Sequence, residues 1–193
     1  MTEAEWLACE DPASMLEFLQ DKGSERKLLL FCLVWSPTFY RLGDKCERYG
    51  TAFRFADGDC GPDELRMAWI RGDDPAYPRN AAVPERPFVW ARPLTRSTHQ
   101  LASVPPVDRA PPLTREIFGN PFHPVTVNPA WLTSDVHALA EGIYQDRAFD
   151  RMPILADALQ DAGCDDADIL GHCRGPDPHA RGCWVVDLVL GKE

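Results

Sequence analysis

The sequence predicts a mainly α-helical protein, in which two packed helical halves are joined by a proline-rich irregular connector. Three observations favour this fold class: helix-capping residues recur before segments with helical apolar spacing, glycines follow several of these segments, and nine of the eighteen prolines fall in residues 72–112. The predicted boundaries are an N-terminal half over residues 1–71, the connector over 72–112, and a C-terminal half over 113–193.

The composition is that of an ordinary globular chain. Of its 193 residues, 45% are hydrophobic and 26% are charged, and the net charge of −10 disfavours nucleic acids and anionic membranes as partners. The first residues lack a signal peptide's basic and apolar regions, and no apolar segment approaches the roughly 20 residues of a membrane-spanning helix. We therefore expect a cytoplasmic protein with a protein partner, no nucleic acid and no membrane.

Start signals divide the N-terminal half into successive helices. These signals are the capping-box pair Thr2 and Glu5, the dipeptide Asp11-Pro12, Ser24 and Pro62. Residues 28–35 are apolar on nearly every face, which predicts a central buried helix, with a buried strand as the alternative. A further helix is expected over 44–55, where Cys46, Tyr49 and Phe53 share one face.

The connector over residues 72–112 has no sustained apolar period. Half of the chain's prolines lie in it, and proline disfavours helix interiors and central strands. We interpret it as a linker, with residues 88–90 expected to contact the folded halves. A polyproline ligand segment is the alternative, although the PxxP spacing is weak.

The C-terminal half shows the same sequence of starts and stops. Its expected elements are a short helix over 113–118 stopped by Gly119, a short helix opened by Asn128-Pro129, a helix capped by Thr133 or Ser134, a helix opened by Pro153, a helix over 167–173 capped by Asp165 or Asp166, and an apolar segment over 181–190. The valines of the last segment favour strand, but we predict a final helix docked in the core.

In a cytoplasmic chain, the seven cysteines are expected to be thiols or metal ligands and not disulfides. Four of them lie in the N-terminal half, and their separations match no zinc pattern. We predict that these four, namely Cys9, Cys32, Cys46 and Cys60, pack as small apolar groups.

Residues 164–187 form the densest group of metal-binding side chains, with three of the seven cysteines and two of the five histidines. A tetrahedral zinc site there would take Cys164, His172, His179 and Cys183, with Cys173 possible in place of His172, because helix neighbours point about 100° apart. The spacing is no standard zinc finger and lacks a CxxC pair. The alternative is that the cysteines pack in the core and the histidines complement helix ends, with no cofactor.

Catalytic patterns are weak in this sequence. Cys183 at a helix N-terminus with His179 as base would suit a thiol enzyme, whereas the nearby aspartates are explained by helix capping. The phosphate-binding, dinucleotide, HExxH and GxSxG motifs are absent. The sequence thus favours a non-catalytic protein-interaction or scaffold module; the alternative is a zinc-stabilised module or thiol-dependent enzyme using the Cys164–Cys183 block.

Three blocks of the chain form a distinctive combination. They are MTEAEWLACEDPASMLEFL with SERKLLLF, REIFGNPFHPVTVNPAWL, and AFDRMPILADALQDAGCDDADILGHCRGPDPHARGCWVVDLVLGKE. Together they resemble an uncharacterised paralogous family of planctomycete bacteria. That family usually carries a paired-cysteine, paired-arginine stretch after the third helix, where this chain has Trp35-Ser36-Pro37. The resemblance implies a recurring module and carries no activity with it.

Overall fold

The computed structural model describes residues 1–19, 22–35, 47–71, 109–176 and 178–192. Over these residues it contains ten α-helices, two short 3-10 turns and no β-strand, which confirms the prediction of a mainly α-helical protein. The helices are α1 (Glu3–Ala8), α2 (Pro12–Leu19), α3 (Glu25–Trp35), α4 (Glu47–Ala56), α5 (Pro62–Arg71), α6 (Ala110–Phe118), α7 (Ser134–Asp146), α8 (Met152–Asp161), α9 (Ala167–Arg174) and α10 (Trp184–Leu190). The predicted connector lies outside the described residues except for 109–112.

The chain divides into two compact units. The first, here called the terminal unit, joins Met1–Leu7 to Pro112–Glu193; the second, the inner unit, is Ala8–Pro111. The sequence did not predict that the first seven residues would belong with the C-terminal part of the chain. The domain boundaries at 71 and 113 stay predictions.

Side-chain caps begin the first two helices, at the residues that the sequence indicated. The Thr2 amide donates to Glu5 Oε2 at 2.7 Å and the Glu5 amide donates to Thr2 Oγ1 at 3.3 Å, which completes the capping box of α1. The carboxylate of Asp11 accepts from the amides of Ala13 and Ser14, both at 3.1 Å, and so caps α2. Local polar chemistry therefore sets where these helices start.

Two caps that the sequence left open are now assigned. Thr133 caps α7, because its Oγ1 accepts from the Val136 amide at 3.3 Å. Asp166 caps α9, because its Oδ1 accepts from two amides of the first turn, at 3.0 and 2.9 Å. The cap of α9 matters for the site described below, because that helix carries His172.

Both apolar segments for which a strand was the alternative are helices. In α3, side chains pointing in several directions are buried, from Leu28 to Leu33 and again at Trp35. In α10, Val185, Val186 and Val189 are buried. Burial on most faces explains why neither segment shows a clear helical alternation of polar and apolar residues.

The inner unit has its own apolar core, built from α3, α4 and α5. Its buried members are Leu29, Leu30, Leu33, Tyr49, Ala52, Phe53 and Leu65. An ion pair joins α3 to the residue that follows α4: Arg26 Nη2 lies 3.0 Å from Asp57 Oδ1, and both side chains are largely buried. Cys32 is buried here, as predicted, whereas Cys9 and Cys60 are partly exposed and Cys46 lies outside the described residues.

The core of the terminal unit is larger and surrounds the candidate site. It is formed by α7 to α10 and includes Ile143, Leu155, Ile169 and Val186 together with the thiols of Cys164, Cys173 and Cys183. Helix α9 packs on α8, and α10 packs on α7. Within the part of the chain that the structure describes, no helix has the length and apolar character needed to cross a membrane.

Candidate metal centre

Four side chains in the terminal unit converge at one point. They are Glu116 from α6, His172 from α9, His179 from the loop between α9 and α10, and Cys183 at the start of α10. Each offers one ligand atom, and these atoms all lie within 4.8 Å of one another. Two imidazoles, one thiol and one carboxylate make a donor set that divalent transition metals accept.

The carboxylate of Glu116 is the centre of this group. His179 Nδ1 lies 3.2 Å from both carboxylate oxygens, and His172 Nε2 lies 3.2 Å from Oε2. The amide of Ala180 donates to Oε1, also at 3.2 Å. A hydrogen bond of this kind holds a ligand carboxylate in one orientation, as is common around protein-bound metals.

Cys183 contacts His172 within this group. Its Sγ lies 3.2 Å from His172 Nε2, the same distance that separates this nitrogen from Glu116. The His172 ring packs against Trp184 at 5.1 Å between centroids and meets the His179 ring edge-on at 5.0 Å. One imidazole nitrogen thus faces both the thiol and the carboxylate.

Burial and the neighbouring charges set the protonation states of these groups. Burial alone would raise the pKa of Glu116, but hydrogen bonds and charge from His172 and His179 lower it, and the net pKa is below its ordinary value. Burial, and then the charge of Glu116, raise the pKa of Cys183 well above its ordinary value. In the absence of a cation, the group therefore contains a carboxylate and a neutral thiol at neutral pH.

Three of the four residues that the sequence indicated belong to this group: His172, His179 and Cys183. Cys164 is not among the converging residues. It is a buried thiol of the terminal unit's core. Cys173, the alternative to His172, is also a fully buried core thiol, and burial followed by the charge of Glu116 raises its pKa to about 12. The position expected for Cys164 is taken by Glu116.

Glu116 was not predicted from the sequence. It lies 63 residues before His179, in a helix that was not associated with the Cys/His block. One sign was available in the sequence, because Glu116 directly precedes the apolar Ile117 in a short predicted helix. In the structure the glutamate is 3% exposed and Ile117 is fully buried. A charged residue next to the buried face of a short helix indicates a specific partner, but does not identify it.

The spacing of the ligand atoms suits a small cation. Ligand atoms at about 2.0–2.3 Å from a tetrahedral zinc ion lie about 3.3–3.8 Å apart. The pairs at 3.2 Å are close to that separation, and no pair in the group exceeds 4.8 Å. The longest separations would have to shorten by about 1 Å to seat an ion.

Comparison with known proteins identifies no relative of this chain: no family model, curated protein or solved structure matches it.

Proposed function

We propose that this chain is a zinc-stabilised module, in which Glu116, His172, His179 and Cys183 bind one Zn²⁺. The observation that supports this most directly is the convergence of their four ligand atoms within 4.8 Å. Three of the four come from residues 172–183, and the fourth comes from α6. A bound ion would therefore crosslink elements that are far apart in the sequence, as structural zinc does in small modules.

The charge of the site is compatible with a bound divalent cation. Zn²⁺ with one carboxylate, one thiolate and two neutral imidazoles has a net charge of zero, and a neutral group is cheaper to bury than an ion. The alternative is a metal-free network in which the histidines and the Cys183 thiol surround the carboxylate. That network retains the charge of Glu116 or places a compensating proton beside it.

The role we propose for the ion is structural. Four protein ligands close the coordination sphere, whereas catalytic zinc keeps a position for water or substrate. Glu116 and Cys183 are only 3% and 1% exposed, which gives a substrate little access to the ion. The side chain of His172, at 18%, is the more exposed of the two histidines.

A thiol-dependent enzyme fits these properties less well. The pair of Cys183 Sγ and His172 Nε2 at 3.2 Å resembles a nucleophile with its base. However, reactive cysteines are accessible and have a lowered pKa, whereas burial raises the pKa of Cys183 and its residue is almost fully enclosed. Turnover that disappears in Cys183→Ser with the fold intact would favour the enzyme instead.

We further propose that the module acts in the cytoplasm by binding a protein partner, without catalysis. The net charge of −10 supports this view, because it disfavours nucleic acids and anionic membranes. The resemblance of its sequence blocks to a planctomycete family is compatible with a recurring interaction module, and that relationship stays a prediction.

Metal content tests the zinc proposal. We expect the protein, purified without chelators or metal-affinity resin, to contain about one zinc per chain by elemental analysis. Removal of zinc by a strong chelator should lower the melting temperature by on the order of 10 °C, because an ion that binds only the folded state stabilises it. Zinc-free protein with an unchanged melting curve would contradict the proposal.

Substitutions of matched residues locate the ion. Cys183→Ser should lose zinc, whereas Cys164→Ser, which removes another buried thiol of the same unit, should keep it. His179→Ala should lose zinc as well, and the exposed His137 of α7 provides the control His137→Ala. Zinc that persists in Cys183→Ser and disappears in Cys164→Ser would place the ion elsewhere.

A further inference from the structure

The segment from Arg115 to His123 contacts two different parts of the terminal unit. Glu116 points into the candidate metal centre. The preceding residue, Arg115, donates from Nη2 to the backbone carbonyl of Trp6 at 3.0 Å. Beyond the end of α6, Asn120 Nδ2 donates to Glu3 Oε1 at 2.8 Å, and His123 Nε2 lies 3.3 Å from the same oxygen.

Helix α1 depends on these contacts. It has only six residues, far fewer than the about 12–15 that an isolated helix needs to be even marginally stable in water. Its capping box satisfies the amides of its own first turn but does not attach it to the protein. Trp6 is nevertheless fully buried, so α1 is folded because it is docked.

The residue that follows α6 also packs against a neighbour of the metal centre. Gly119 has a φ of +66°, and a Cβ atom added there would lie 3.3 Å from Cγ of Trp184. Trp184 directly follows Cys183, and its ring packs against His172. The path of the chain between the site and α1 is therefore closely packed, and glycine is favoured at this position because φ is positive and a side chain would press against Trp184.

We propose that metal binding at the centre controls the docking of the N-terminal segment Met1–Leu7. This inference rests on the proposed zinc site. A bound ion joins Glu116 of α6 rigidly to three ligands on residues 172–183, whereas hydrogen bonds to one carboxylate hold it less firmly. Because α6 also carries Arg115, loss of the ion loosens the contact with Trp6. Thermodynamic linkage requires the reverse as well, so docking of α1 tightens metal binding.

Hydrogen exchange of the full chain, followed by mass spectrometry, tests this coupling. We expect the backbone amides of residues 3–8 to exchange at least about tenfold faster after zinc is removed with a chelator, and to regain protection when zinc is added back. The amides of α8, which pack in the same unit's apolar core through Met152 and Leu155, serve as the internal reference and should change much less.

The variant Arg115→Met separates the two proposals. It removes the hydrogen bond to the Trp6 carbonyl and keeps all four ligands. At saturating zinc its zinc content should therefore stay near one per chain, with a lower affinity than in the wild type, while residues 3–8 exchange fast with or without zinc. If the wild-type protein binds no zinc, the proposed function itself fails. If it binds zinc but residues 3–8 stay protected after removal, or if α8 loses protection equally, only the coupling is overturned.

Discussion

Cys32 is a buried thiol on α3, and burial raises its pKa from an ordinary value of 9.0 to about 12. The unfolded chain therefore loses this proton at a lower pH than the folded chain does. The stability that the neutral thiol contributes is complete below pH 9 and is lost as the pH rises towards 12, by about 1.4 kcal/mol for each pH unit.

Denaturant unfolding of the wild type and of Cys32→Ala, measured from pH 7 upwards, checks this expectation. At neutral pH the variant should be less stable by about 1–2 kcal/mol, since a buried side chain is truncated. Above about pH 9 the difference should shrink, because only the wild type carries this titrating thiol. All other titratable groups are present in both proteins, so their contributions to the pH dependence of stability cancel in the comparison. Parallel stability curves across the range would contradict the assignment.

At the residue scale, Cys183 could be recognised as a candidate ligand from the sequence, whereas Glu116 could not. The cysteines and histidines of the site were recognisable from the sequence because their side chains are chemically distinctive and close together in the chain. Glutamate is abundant on protein surfaces, so its type carries little information. Glu116 became a candidate ligand only when folding placed it 3.2 Å from His179, a separation that depends on the packing of α6.

At the scale of elements, the N-cap of α9, the helix that carries His172, can be tested directly. Asp166 accepts hydrogen bonds from two amides of its first turn, while the neighbouring Asp165 is exposed and makes no such bond among the described contacts. Asp166→Ala should lower the free energy of unfolding by about 1–2 kcal/mol, a typical cost for loss of an N-cap.

The matched control is Asp165→Ala, which removes the same charge from an adjacent position. It should change the free energy of unfolding by less than about 0.5 kcal/mol. Both variants should be compared by denaturant titration at constant zinc. Equal effects would mean that the charge near the helix start, and not the cap, stabilises α9.

The starts of the helices with side-chain caps were the most predictable part of the fold. The starts of α1, α2, α7 and α9 follow from short polar side chains that satisfy free amides, which is a local interaction. The type of α3 and α10 was harder to predict, because segments buried on most faces lose the alternation that distinguishes helix from strand. For α3, the basic residues at its start and the length of the neighbouring helical segments nevertheless favoured the correct choice.

At the scale of the whole molecule, the buried ion pair of the inner unit is expected to contribute more to stability than an ion pair on the surface. Arg26→Met removes the guanidinium 3.0 Å from Asp57 and should cost about 3 kcal/mol, since a buried charge loses a close counter-charge. Arg54→Met removes the arginine of an exposed pair with Glu64 and should cost less than about 1 kcal/mol. Unfolding measured by denaturant compares the two.

Neither arginine belongs to the unit that contains the metal centre, so both variants should retain the zinc content of the wild type. An Arg26→Met protein as stable as Arg54→Met would show that the buried pair contributes no more than a surface pair. The division into units itself was beyond sequence reasoning. Contacts between residues over a hundred positions apart, such as that between Trp6 and Arg115, leave no periodic pattern.

The terminal unit joins two segments that are far apart in the chain, and this affects how the unit can assemble during synthesis. Residues Met1–Leu7 leave the ribosome long before Arg115 and Asn120, whose contacts with them span 109 and 117 positions of the chain. Until synthesis has passed Arg115, the backbone carbonyl of Trp6 lacks the guanidinium that donates to it. The segment must remain undocked while the inner unit is synthesised. At translation rates of about 5–20 residues per second, Trp6 is therefore without this contact for several seconds or longer. Slowed translation, or a bulky group attached to residues 1–7, would therefore impair the assembly of the terminal unit.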